Sequence, residues 1–136
     1  MQKNILFLVA IFMSIGSVLL TASPAAEDER SSESAVVATT SWAAAFVYAA
    51  GAEEVTVLAP YQLRHPAEYE LKPSDIRLVG AADIVIYAGY ERMVSKIKDA
   101  TGSKGPELLQ IVTQYDKQSI RDSIMSIASK LGTEEI

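Results

Sequence analysis

The chain alternates between short apolar runs and segments whose apolar positions recur at helical spacing. "AVVATT" (35–40) is a brief, partly β-branched run, and the alanine-rich "SWAAAFVYAAG" after it predicts a helix with Ser41 as its N-cap and Gly51 as its stop. "EVTVLAP" repeats the strand signal and ends at Pro60, where a polar loop begins. "PSDIRLVGAA" then predicts a short helix, with Ser74 as its cap and Asp75 in the first turn, where a negative charge suits the helix dipole.

"DIVIYAG" is the third strand, "YERMVSKIKDATG" a helix ending near Gly102, and "ELLQIVT" the fourth strand. In the last helix, "DKQSIRDSIMSIASKLG", Ile120, Ile124, Ile127 and Leu131 recur at steps of four, three and four and draw one apolar stripe that Gly132 ends. Strands separated by helices, most of them nearly all apolar, imply a parallel sheet covered on both faces. The expected fold is a single α/β, Rossmann-like lobe over residues 35–136, with about four parallel strands flanked by helices. In such sheets ligands bind outside the carboxyl ends of the strands, where the strand order reverses. That directs attention to the loops after Thr40, Pro60, Gly89 and Thr113.

The amino-terminal stretch has a different pattern. A start bearing Lys3, an uninterrupted apolar run from Ile5 to Leu20 and small residues around Ser23 to Ala26 have the layout of a secretory signal peptide, assigned to residues 1–25. The alternative is an uncleaved segment that tethers the chain to a membrane. Residues 26–34, "AEDERSSES", are polar and charged and read as a flexible leader. Either way the domain is expected to be exported, to the periplasm or the cell exterior.

Composition narrows the chemistry. The chain has no cysteine, which removes a disulfide framework, a thiolate metal site and a cysteine nucleophile together. Its net charge is −5, and loss of residues 1–25, whose only charged side chain is Lys3, changes this to −5 − 1 = −6. A surface of that sign repels phosphate backbones, so nucleic acid is not an expected partner.

The single histidine, His65, lies in the loop after the second strand, with Pro66 stiffening the backbone beside it. A neutral imidazole is the commonest protein metal ligand, and a loop on a rigid sheet can aim one; a solvated loop histidine is the alternative. Glu68, Tyr69 and Glu70 are placed to orient it or to add an oxygen ligand; the alternative is a half-exposed edge segment whose Tyr69 packs down. Glu91 and Asp116 each follow a strand, where a carboxylate reaches either a ligand in the crevice or a helix N-terminus. Trp42, just past the first strand, is expected in the core, with contact to a ligand at the strand's carboxyl end as the alternative. No phosphate-cradling glycine loop, nucleophile elbow, zinc-protease helix or complete hydrolytic triad can be assembled, so the domain is not expected to be an enzyme.

Four stretches in order, "VVATTSWAAAFV", "EEVTVLAP", "HPAEYELKPSD" and "AADIVIYAGYE", resemble the amino-terminal lobe of the periplasmic zinc- and manganese-binding proteins that feed ABC importers. The third is the most specific, with a histidine shortly before an aromatic residue and then P-S-D. The resemblance implies a solute-binding role, with zinc or manganese handed to a membrane permease, His65 as a metal ligand, and Glu91 at a position that is often acidic.

Three departures accompany it. Pro66, Ala67 and Glu68 intervene between His65 and Tyr69, where the family spacing is shorter. The second expected histidine is replaced by "VTQYDKQS", in which Asp116 offers an oxygen ligand that would favour a harder metal such as manganese. The chain also ends where a carboxyl-terminal lobe, source of the remaining ligands, would begin, so a truncated protein or a lobe needing a partner chain is expected. With one imidazole and two carboxylates, binding by this fragment alone should be weak or absent. The alternative function is an exported adhesion or interaction domain of the same fold without a working metal site.

Overall fold

Apolar residues alternate between two faces in the central strands, and that alternation organises the whole lobe. The structure is a computed structural model that describes residues 35–134. The signal peptide and leader assigned above lie outside the described residues.

Four strands, β1 (Val36–Ala38), β2 (Thr56–Val57), β3 (Ile84–Tyr87) and β4 (Glu107–Gln110), form one sheet in the order β2-β1-β3-β4. Every pairing is parallel, with Val37 opposite Thr56 and Val85, and Val85 opposite Leu108. Val36, Ala38, Ile84 and Ile86 face one side, where they pack against α1 (Ser41–Ala49) and α4 (Lys117–Leu131) through Phe46, Val47, Ile127 and Ala128. Val37 and Val85 face the other side, against α2 (Pro73–Gly80) and α3 (Met93–Thr101), through Val79, Met93 and Ile97. Both faces are therefore covered, as the apolar strands require.

The connections fix where a ligand can sit. The chain leaves β1 to one side to make β2, then crosses back beyond β1 to make β3, and the covering helix changes face as the direction reverses, as a constant right-handed crossover demands. The reversal opens between the carboxyl ends of β1 and β3. Thr39, Thr40 and Glu91, among the few buried polar residues, lie at this point.

The helix starts differ from expectation in detail. Thr40, not Ser41, caps α1: its hydroxyl accepts a hydrogen bond from the Ala43 amide at 3.2 Å while its backbone stays extended. In α2 Pro73 takes the first helical position and Ser74 the second, so Ser74 is not the cap. Asp75 instead reaches back from the third position and accepts from the Lys72 amide at 2.7 Å. The stripe Ile120, Ile124, Ile127 and Leu131 packs into the α1 side of the core, as its spacing predicts. Among the described residues no helix is long and apolar enough to cross a membrane.

Candidate functional site

A cleft of about 280 Å³ opens at the carboxyl end of the sheet, lined by Thr40, Ser41, Trp42, Arg64, His65, Pro66, Ala67, Glu68 and Tyr90. The loops after β1, β2 and β3 all contribute, so the cleft overlies the reversal of strand order. A larger depression of about 340 Å³ lies at the opposite end, with Glu54 as its only charged lining residue and nothing that converges on a ligand. Size favours the second; chemistry favours the first.

His65 is exposed and stands immediately before a single turn of 3₁₀ helix, Pro66–Glu68. That turn is what the three residues between His65 and Tyr69 build. A 3₁₀ turn has three residues and rises only about 6 Å, and it sets side chains three apart on the same side. Glu68 is thereby returned to the side of His65, and both line the cleft. The Glu68 amide donates to the His65 carbonyl at 3.1 Å, and the Arg92 amide donates to Ala67 at 2.9 Å, which ties this loop to the one after β3.

Tyr69 turns the other way. Its hydroxyl donates to Asp75 at 2.8 Å and its ring packs into the core cluster on the α2 and α3 side, so it does not orient His65. Burial, then the hydrogen bond and charge of Asp75, push the Tyr69 phenol above its ordinary value. Asp75 thus holds a helix start and a core tyrosine together.

Glu91 is buried but committed. Its Oε1 accepts from the Thr39 hydroxyl at 2.7 Å and the Ala88 amide at 2.9 Å, and its Oε2 from the Gly89 amide at 2.7 Å. It precedes α3 without belonging to its first turn, and it does not line the His65 cleft. Asp116 caps α4, accepting from the Ser119 amide at 2.8 Å and hydroxyl at 2.7 Å. These bonds hold its carboxyl below the usual carboxylate range. The structure therefore does not assemble His65, Glu91 and Asp116 into one site, and among the described residues no three histidine or carboxylate side chains converge as a metal site.

Aromatic residues complete the cleft instead. Trp42, expected in the core, is half exposed and forms one wall, and Tyr90 forms another. Burial and the nearby Glu91 charge raise the Tyr90 phenol, against the lowering effect of its hydrogen bond with Thr40. Arg64 adds a cation to the lining. An exposed imidazole with one carboxylate beside it can offer a nitrogen and an oxygen to a cation, two donors of the about four that zinc takes.

A sequence model of the family described as zinc-uptake complex component A, periplasmic (ZnuA), matches residues 36–126. The chain belongs to that family. The ZnuA match runs from β1 into α4 and so contains the whole cleft. No curated protein matches the chain at a significant level. Among solved structures, the Mn-bound periplasmic metal-binding protein from Candidatus Liberibacter asiaticus is similar over 74% of this chain and 50% of its own, at 15% identity and a TM-score of 0.53. Its Cd-bound form is similar over 74% and 49%, at 14% identity and the same TM-score. At that identity the likeness is one of fold. The chain spans about half the length of the solved structures it matches.

Proposed function

We propose that this chain is the amino-terminal lobe of the solute-binding component of a divalent-metal ABC importer, exported to carry zinc or manganese to a membrane permease. The observation that supports this best is the place of His65: a ZnuA-family chain holds its single imidazole in the cleft above the strand-order reversal. His65 supplies the nitrogen ligand and Glu68, on the same side of the 3₁₀ turn, the nearest oxygen. Glu91 supports the site by fixing the loop that carries Tyr90, and Asp116 by starting α4. The role is one of binding and transfer, without catalysis.

The remaining ligands belong to a carboxyl-terminal lobe or partner chain, because zinc takes about four donors and the cleft offers two. Calorimetric titration of zinc and of manganese into the wild type and His65→Ala tests the ligand. A weak wild-type heat that disappears in the variant is expected; equal heats in both would sink the assignment. A second reading, an exported interaction domain without a metal site, is favoured by the absence of three converging ligands among the described residues. It predicts no heat from either protein.

A further inference from the structure

Arg64 lines the cleft next to His65, so a fixed positive charge stands where the imidazole and the Glu68 carboxylate would hold a second one. Among the described residues Arg64 makes no ion pair. A guanidinium repels a bare dication, and its planar fork of N–H donors matches a carboxylate. The lining thus combines donors for a metal with a clamp for an anion.

The walls point the same way. Trp42 and Tyr90 are 45% and 56% exposed, and both line the cleft. A hydrated ion gains little from ring carbon, whereas an organic molecule buries its own carbon skeleton against it. Size agrees with that. At roughly 30 Å³ per water, a cation with four waters fills about 120 Å³, and the cleft holds about 280 Å³.

We propose that the cleft captures its metal as a complex with a small polycarboxylate. His65 binds the metal, Glu68 adds an oxygen, Arg64 donates to a carboxylate of the chelator, and the Trp42 and Tyr90 rings flank the chelator's carbon skeleton. This rests on the function proposed above and names the form in which the metal arrives. The covering lobe keeps its place, because its ligands displace those of the chelator as it closes. Coordination balances at the first step: one water or chelator oxygen leaves the metal as the imidazole nitrogen joins it. Charge is matched too, since a dication chelated by a tricarboxylate is net negative and is drawn to Arg64 where the bare ion is repelled.

Trp42 is the only tryptophan, so its fluorescence reports on the cleft, while calorimetry on the full chain gives the affinity. At equal total zinc, three titrants are compared: zinc alone, zinc with equimolar citrate, and zinc with equimolar malate, with each acid alone as a control. Both acids sequester zinc, so a site for the bare ion must bind it more weakly in their presence. Expected instead is an apparent affinity about tenfold or more higher with citrate or malate. Arg64→Ala should reverse the effect, so that the acids compete, while zinc alone binds it no more weakly than it binds the wild type, because a like charge has gone. His65→Ala should lose the tight binding altogether. Both side chains are exposed, and circular dichroism checks that each variant folds.

Competition by both acids in the wild type, in proportion to the zinc they remove, would overturn the proposal while leaving the metal-binding role intact. An advantage that survives Arg64→Ala would also overturn it. So would citrate or malate binding as tightly without zinc as with it. No heat and no fluorescence change with any of the titrants would remove both the proposal and the metal-binding role.

Discussion

Removing the Glu91 carboxylate should destabilise the lobe strongly, and the structure says by how much. Hydrogen bonds to a charged group contribute roughly 1.5–3 kcal/mol each when the donor has no other partner. Of the three donors, the Ala88 and Gly89 amides lie near the surface and recover water, whereas Thr39 is fully buried. The Thr39 hydroxyl retains only a long contact to the Ile86 carbonyl at 3.4 Å. Glu91→Ala should therefore cost about 2–4 kcal/mol, one full bond and part of two others.

Glu91→Gln keeps one acceptor and turns an amide N–H towards a donor, and should cost about 1–2 kcal/mol. Against a typical total of ~5–15 kcal/mol these are large fractions. At ~4–8 °C per kcal/mol for a domain of this size, Glu91→Ala should melt some 10–20 °C lower. Urea unfolding followed by circular dichroism gives the free-energy difference directly. Stability within ~0.5 kcal/mol of wild type would refute the reasoning. A fully stable Glu91→Gln that had lost its zinc heat would refute it differently, by making Glu91 a ligand.

Other expectations follow from the same contacts. Asp116→Ala should lower the thermal midpoint at neutral pH by removing the α4 cap; because the folded carboxyl is held low, the difference from wild type should shrink as pH falls through the acid range. Tyr69→Phe should cost about 1 kcal/mol in urea unfolding at neutral pH. Since the folded phenol is raised, wild-type Tyr69 stabilises fully below the ordinary tyrosine value, and the gap should close as pH rises through the alkaline range. Gly89→Ala should cost about 1–3 kcal/mol, because φ at this position is 101°, a backbone conformation that a residue with a side chain rarely adopts.

Much of the fold was legible because Val36 to Ala38 and Ile84 to Tyr87 are apolar on both faces, a pattern that central parallel strands require. The edges were less so. "EVTVLAP" contributes only Thr56 and Val57 to β2, although the Leu58 and Ala59 amides still donate to Ala38 and Thr39 before Pro60 ends the pairing.

At the site, His65 could be found because it is the lone imidazole in a carboxyl-end loop. Trp42 was readable only as core first and ligand contact second, because an aromatic ring beside an apolar run is usually core; its place in the first turn of α1 leaves it half exposed, and Tyr90 gave no signal of its own. Glu91 was ambiguous for a similar reason. A carboxylate after a strand serves a ligand, a helix or its own loop equally well on spacing alone, and the two amides that claim it precede it in the chain.

The tie between the Arg92 amide and Ala67 has a consequence for how the cleft would meet a cation. Ordering a free backbone residue costs about 1–2 kcal/mol, and a slack segment from Pro60 to Lys72 would have to bear much of that cost during capture. Here the 3₁₀ turn, the Arg92 tether and the Tyr69 hydroxyl have already arrested it. His65 therefore sits on a preset arm, and its contribution to affinity would be limited by how many other donors arrive rather than by any search through conformations.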